Sequence, residues 1–288
     1  MANDDARENW TGGAAAWLDN DAVFDLLFAP VTDVLLEAGE LRPGDRLLEI
    51  GCGSGAILEH AVHHGARAVG IDISPGMVEA ARRRVPEARV VVGDAQVVEL
   101  ADAGGLAAYD VIASRFGVMF FADPVAAFGN LRAAADPRRG VLVFACWGPR
   151  EANPMFSLGT GPLLRRLDAL ADDEPLMSPD GPGPTSLSDP AHVRSILTMA
   201  GWTSVGVEPI EFACDYGFAG TDGVEERLGV ILGTTNGRRA SERLRPALDP
   251  QAWGELLNEA RDEIRDGLVD GVVRHPASAW LVTARSSD

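Results

Sequence analysis

The chain has 288 residues and a formal net charge of −18, which opposes binding to phosphate backbones or anionic lipid headgroups and leaves neither nucleic acid nor a membrane expected as a partner. The length suits one well-filled α/β domain carrying extra helices, and 46% hydrophobic with 24% charged residues excludes a disordered or fibrous chain. Three cysteines, Cys52, Cys146 and Cys214, widely spaced and without a CxxC pair, exclude a disulfide framework and a zinc site.

The N-terminal residues are acidic and polar (Asn3, Asp4, Asp5, Glu8), and no run approaches about 18 apolar residues, so a cytoplasmic location is expected. Residues 10–38 show two amphipathic helical stretches holding Trp10, Trp17, Phe24, Leu27 and Phe28; residues 1–40 read as a helical cap. From 41 to about 150, β-branched runs alternate with helical periodicity, the pattern of a parallel sheet wound by crossover helices. Strands are expected at Arg46–Ile50, Arg67–Ile71, Arg89–Val92, Tyr109–Ala113 and Val141–Cys146. Ser74-Pro75 and Asp123-Pro124 each supply an N-cap followed by proline at the first helical position; the second helix carries Val125, Phe128, Leu131 and Ala135 on one face.

Residues 148–187 are rich in Pro and Gly, with Pro179, Gly181, Pro182, Gly183 and Pro184 close together, and read as a mobile connection or lid. A helix follows from Ser188-Asp189-Pro190 to Gly201, then a strand over Trp202–Ile210. Residues 221–268 carry two apolar helical stripes, the second capped by Asp249-Pro250, and Ala279–Arg285 is strand-like. The region 151–288 is thus expected to hold the lid, the remaining strands and inserted helices within the same domain.

The chemistry concentrates at Glu49-Ile50-Gly51-Cys52-Gly53-Ser54-Gly55, where a buried strand enters a glycine-rich turn and a helix. Glycines admit close approach of backbone to ligand, and the helix start presents unpaired N–H groups. Gly51, Gly53 and Ala56 also satisfy the dinucleotide pattern, so a nicotinamide-dependent oxidoreductase stays open. Glu49, just before the first glycine, would repel a diphosphate and attract an ammonium group. Asp72 lies 21 positions after Gly51, where a carboxylate accepts both hydroxyls of a ribose; Asp94, in Gly93-Asp94-Ala95, is placed to accept from an adenine amino group, with Ile73 and Met77 sandwiching the ring.

Glu49-x-Gly51-x-Gly53-x-Gly55, Ile71-Asp72, Gly93-Asp94-Ala95 and Tyr109-Asp110-Val111-Ile112-Ala113-Ser114-Arg115 occur in the order and spacing of a known family. Over roughly residues 41–147 the chain resembles class I S-adenosylmethionine-dependent methyltransferases of the small-molecule group that includes quinone-biosynthesis enzymes. The resemblance implies a Rossmann-like, seven-stranded, mostly parallel sheet with helices on both faces, its last strand, Ala279–Arg285, antiparallel and inserted beside its neighbour. It implies S-adenosyl-L-methionine as methyl donor and inserted helices for substrate recognition. It also implies that Cys52 and Ala95 lie in the donor-binding turns, that Ser114 and Arg115 flank the methionine end, and that Trp10 or Trp17 covers the donor.

A sulfonium is already a good leaving group, so the protein must mainly align the reactants and exclude water. The expected acceptor is a small or medium-sized organic molecule or a short peptide, with oxygen favoured. A general base would help an acceptor of high pKa; His275 and His192 are weak candidates, and Arg115 is a candidate for gripping an acceptor carboxylate or for pairing with an acid near the donor. Asn153 could orient a substrate or build a turn. No metal is expected: the histidines at 60, 63 and 64 lack nearby partners. With no certain base, a noncatalytic donor-binding protein also stays open, and the oligomeric state is not legible.

Overall fold

The structure, a computed structural model, describes residues 4–169 and 181–287. Its sheet consists of β1 (Arg46–Ile50), β2 (Arg67–Asp72), β3 (Arg89–Val92), β4 (Val111–Arg115), β5 (Val141–Trp147), β6 (Thr203–Asp215), β7 (Leu268–Val269) and β8 (Val272–Arg285). The order is β3-β2-β1-β4-β5-β8-β6, with the two-residue β7 pairing only with β8. Strands β1 to β5 are parallel; β8 runs antiparallel between β5 and β6. The chain reverses direction of winding between β3 and β4, on either side of β1, and in such sheets ligands settle outside the strand ends at that switch.

The helices are α1 (Asp4–Leu18), α2 (Asp21–Ala38), α3 (Ala56–His63), α4 (Pro75–Arg84), α5 (Leu100–Gly104), α6 (Pro124–Ala134), α7 (Gly161–Asp168), α8 (Pro190–Met199), α9 (Val224–Gly233), α10 (Thr235–Ala247) and α11 (Pro250–Asp266). Successive strand residues face opposite sides of the sheet, and each side has its own core. Leu48, Ile112, Leu142 and Phe144 pack with α6 and α8, whereas Leu47, Val111, Val143 and Ala145 pack with α3 and α4. α2 serves both, giving Phe24 and Leu27 to one core and Val31 and Leu35 to the other.

Several boundaries differ from expectation. β4 starts at Val111 rather than Tyr109, because Tyr109 and Asp110 pair elsewhere: Tyr109 bridges to Ala135, and the Asp110 carboxylate accepts from the Arg46 guanidinium at 2.6 and 2.9 Å. β6 and β8 are longer than expected, running together from Thr203↔Arg285 to Asp215↔Arg274. Two prolines disguise this ladder in the sequence. Pro209 lies on the sheet's outermost strand, and Pro276 lies beyond the end of β5, so neither removes a bond from a strand paired on both sides. The 221–268 region holds three helices, not two, since Thr234 takes an extended conformation between α9 and α10.

The proline-rich connection is ordered where described. Residues 150–156 form two short 3₁₀ turns before α7, and Gly183 N–H and Ser186 hydroxyl both donate to Met119 carbonyl, at 3.1 and 2.7 Å. Residues 170–180, Pro179 among them, lie outside the described residues.

Candidate active site

One cavity, of about 230 Å³, opens along the C-terminal ends of β1 to β5 beneath α1, with room for an organic molecule rather than a lone water or ion. Its floor is the turn after β1. Gly51 and Cys52 N–H both donate to Ile71 carbonyl, at 2.9 and 3.1 Å, which folds the turn back over β2. At Gly51 (φ +63) a Cβ would stand 2.9 Å from Gly117 Cα, and at Gly117 a Cβ would stand 2.7 Å from Ile50 carbonyl; the loops after β1 and β4 touch backbone to backbone. Gly53 (φ +51) has open space where its Cβ would be, over the cavity.

Three acids reach the cavity from adjacent strand ends. Asp72 is held by two backbone donors, Gly53 N–H at 2.9 Å and Ser74 N–H at 2.8 Å, although burial still pushes its carboxyl above the ordinary range. Asp94 accepts from Gln96 N–H at 3.0 Å. Glu49 is buried, and its Oε2 has no hydrogen-bond partner among the described residues. Burial raises its pKa to about 8, against the opposing pull of the Arg115 guanidinium. A buried, unsatisfied carboxyl calls for a donor or a cation from a ligand. A diphosphate laid on this turn would meet Glu49 and Asp72 at close range, whereas a cationic nucleoside would satisfy both.

The structure brings Trp10, Glu49, Gly51, Cys52, Gly53, Asp72, Ile73, Met77, Asp94, Ala95 and Arg115 onto this one cavity. Ser114 is not on its surface. It is fully buried, donates to Ile50 carbonyl at 2.8 Å and accepts from Gly117 N–H at 3.2 Å, so it holds the two loops together from behind. Burial raises the Cys52 thiol well above its usual range, with Asp72 and Glu49 adding to the effect, which leaves it unreactive.

Arg115 is buried between acids: it donates to Thr32 hydroxyl at 2.8 Å, lies 3.7 Å from Asp25, and stands over the Phe28 ring. Pairing with acids is therefore its observed role. α2 is latched over the glycine turn by the same charges, with Ser54 hydroxyl donating to Asp21 at 2.6 Å and Arg84 reaching Asp25 at 2.7 Å and Glu59 at 2.8 Å. Arg82 and Arg83, the neighbours of Arg84 on α4, are exposed; Arg82 donates to Val90 carbonyl and Arg83 pairs with Glu79.

Neither histidine candidate reaches the cavity. His192 is exposed on α8. His275 is buried under α9 with its ring against Tyr216, and burial lowers its pKa to about 4, so it is neutral and enclosed. Asn153 also points away: its side-chain amide donates to Pro149 and Ser278 carbonyls and accepts from Ser278 N–H, clamping the loop after β5 to β8.

The far end of the cavity is aromatic. Phe116 stacks on Trp147 at 4.2 Å and 4°, Phe28 meets both edge-on at 5.2 and 5.6 Å, and Phe156 meets Trp147 at 5.5 Å. Phe116 adopts φ +62, a left-handed conformation that costs a bulky residue energy and is held by the stack and by its N–H to Ala145 carbonyl. Trp10 closes the roof against Trp17 and Phe120. Arg150, its guanidinium 5.1 Å from the Phe156 ring, and Asn236 and Arg238 from the start of α10 complete the wall. Sequence reading singled out none of Gly117, Trp147, Arg150, Phe156 and Asn236 for the site. The signals available were the glycine two positions past β4, the aromatics flanking the end of β5, and the Thr-Asn-Gly break between two helical stripes.

This architecture defines a Rossmann-like nucleoside-binding protein whose ligand end is acidic. Residues 48–144 match the family profile described as a methyltransferase domain, so this stretch of the chain carries a methyltransferase domain. It is 29% identical over 180 residues to the demethylmenaquinone methyltransferase of Beutenbergia cavernae, covering 59% of this chain and 71% of that one. It is 33% identical over 142 residues to the aklanonic acid methyltransferase DauC of a Streptomyces strain, covering 48% and 60%. Across the first curated relatives the matched stretch spans 43% to 71% of the relative's length, about half in most. The fold is shared with phosphoethanolamine N-methyltransferase 2 of Haemonchus contortus, solved with phosphomonomethylethanolamine and S-adenosylhomocysteine (TM-score 0.53, 14% identity, covering 100% of this chain and 60% of that one).

Proposed function

We propose that this protein transfers the methyl group of S-adenosyl-L-methionine to a small or medium-sized, largely apolar organic molecule, with oxygen as the target atom. The observation that carries this reading is the continuity of an acid-lined nucleoside end with an aromatic chamber in a single cavity. In this reading Glu49 receives the donor's ammonium, Asp72 its ribose hydroxyls and Asp94 its adenine amino group, while Ile73 and Met77 flank the ring. The bound donor supplies an electrophilic methyl on a positively charged sulfur. The protein's part is to align an acceptor with that methyl and to keep water out, through the Phe116–Trp147 stack and the α1 roof.

A molecule that fits beneath α1 is favoured over a peptide, since Trp10 and Trp17 overlie the chamber. A cytoplasmic setting accords with three buried, unpaired cysteines, and among the described residues no helix is long and apolar enough to cross a membrane. Turnover of methyl-labelled donor with a panel of hydroxy, carboxy and amino aromatics tests the reading. Label in product is expected; S-adenosylhomocysteine binding with no transfer to any acceptor would identify a noncatalytic donor-binding protein instead.

A further inference from the structure

An acceptor attacks the donor's methyl only through a free electron pair, so its protonation at neutral pH matters as much as its shape. The chain contains no lysine, five histidines and two tyrosines. None of these seven rings lies on the cavity. His60, His63 and His64 are exposed on or beside α3 and His192 on α8, and His275 is enclosed. Tyr109 is fully buried with its hydroxyl on Leu100 carbonyl, and Tyr216 is fully buried beside Arg227.

The acids on the cavity among the described residues are Asp21, Glu49, Asp72 and Asp94. The last three form the donor end, and Asp21 is engaged by Ser54 and faces Arg84. The other charged residues on its wall are arginines: Arg115, Arg150 and Arg238. Arg115 faces Asp25 and donates to Thr32 hydroxyl, and Arg238 donates to Glu242 and Asn9. Arg150 stands over Phe156, exposed at the aromatic end, with no carboxylate partner among the described residues.

We propose that the acceptor is a carboxylate on an aromatic or similarly apolar skeleton, methylated on oxygen to a methyl ester, with Arg150 as the residue that selects it. This rests on the methyltransferase reading above. A phenol or an alkylamine, with pKa near 10, has only about one molecule in a thousand ready to react at pH 7 and would need a base that the chamber lacks among the described residues. A carboxylic acid, with pKa about 4, arrives ionised. A carboxylate oxygen forms the new bond to the methyl carbon as the methyl–sulfur bond breaks with its electron pair on sulfur; the anion becomes a neutral ester, the sulfonium a neutral thioether, and no proton moves. The aromatic walls receive the skeleton, and the Arg150 guanidinium meets the carboxylate in the paired geometry that arginine favours. The chain's net negative charge does not prevent this, because salt screens it beyond about 8 Å.

The test is calorimetry on the full chain loaded with S-adenosylhomocysteine, titrated with 1-naphthoic acid, 1-naphthol and 1-naphthylmethylamine, followed by turnover of methyl-labelled donor with the same three probes. The naphthoate is expected to bind at least tenfold more tightly than the other two and to yield a labelled product that alkali hydrolyses to methanol. Arg150→Gln is expected to abolish the preference while leaving S-adenosylhomocysteine affinity within twofold. Equal or reversed affinities, or labelling of the naphthol or amine but not the acid, would overturn the proposal. Failure of S-adenosylhomocysteine to bind at all would strike the donor assignment instead.

Discussion

At the donor end, three acids come from the ends of three neighbouring parallel strands, Asp72 and Asp94 fixed by local backbone donors. At the acceptor end, the walls come from α1, α2, the loops after β4 and β5, and the start of α10, segments far apart in the chain. The first is built by short-range geometry: Asp72 is pinned by Ser74 in its own strand–turn–helix unit and by Gly53 in the adjacent one. The second exists only because long-range packing gathers it. Arg227 shows this most clearly. It is fully buried without a carboxylate partner among the described residues, and it donates to Met155 carbonyl at 2.8 Å and Leu158 carbonyl at 2.6 Å, tying α9 to the loop that carries Phe156. A strand end tolerates change around it; a gathered wall does not.

Substitutions in the two ends should therefore fail in different ways. The largest effect is expected from Arg227→Met, which leaves two carbonyls and the Tyr216 hydroxyl without their donor: about 3 kcal/mol of stability lost in denaturant unfolding, with acceptor use weakened in whatever remains folded. Next, Asp72→Ala should weaken S-adenosylhomocysteine binding about 100-fold by calorimetry, through loss of the two hydrogen bonds proposed to the ribose hydroxyls, with far-UV circular dichroism unchanged. Unchanged affinity would remove Asp72 from the donor site.

A third effect sits in the pH dependence of the unliganded protein. Glu49 holds its proton to about pH 8 in the fold, against 4.5 ordinarily, so the folded state binds the extra proton between those values and stability falls as pH rises, levelling above 8. His275, lowered from 6.5 to about 4, acts oppositely: below 6.5 the unfolded chain takes up the proton, and stability rises with pH up to that point. From 6.5 to 8 the His275 contribution is absent, and the Glu49 proton alone should lower stability there by about 2 kcal/mol. Glu49→Gln should remove most of that slope; an unchanged slope would place the titration elsewhere. The smallest effect is expected from Phe156→Ala, which should raise the acceptor KM roughly tenfold and leave donor affinity unchanged.

The same contrast explains what the sequence revealed. The glycine turn, Asp72 and Asp94 were legible because each is a local signal: a strand pattern, a glycine permitting positive φ, an acid at a fixed offset. The antiparallel insertion of Ala279–Arg285 was legible only through family resemblance, and the full length of its ladder was hidden by Pro209 and Pro276. His275 looked accessible because it precedes that strand, but in the extended ladder it pairs with Cys214 and turns inward. Ser114 sat one position from Arg115 in sequence, yet strand alternation sends its hydroxyl behind the loop. Arg150 and Asn236 carried no periodic or motif signal, because only tertiary packing makes them neighbours of the cavity.

The claim on which all of this depends is that the acidic strand ends receive a positively charged nucleoside rather than a diphosphate. Parallel calorimetric titrations of the full chain with S-adenosylmethionine and with NAD, in the same buffer, test it most directly. Saturable heat with S-adenosylmethionine and none with NAD is expected; tight binding of NAD with no response to S-adenosylmethionine would contradict the account.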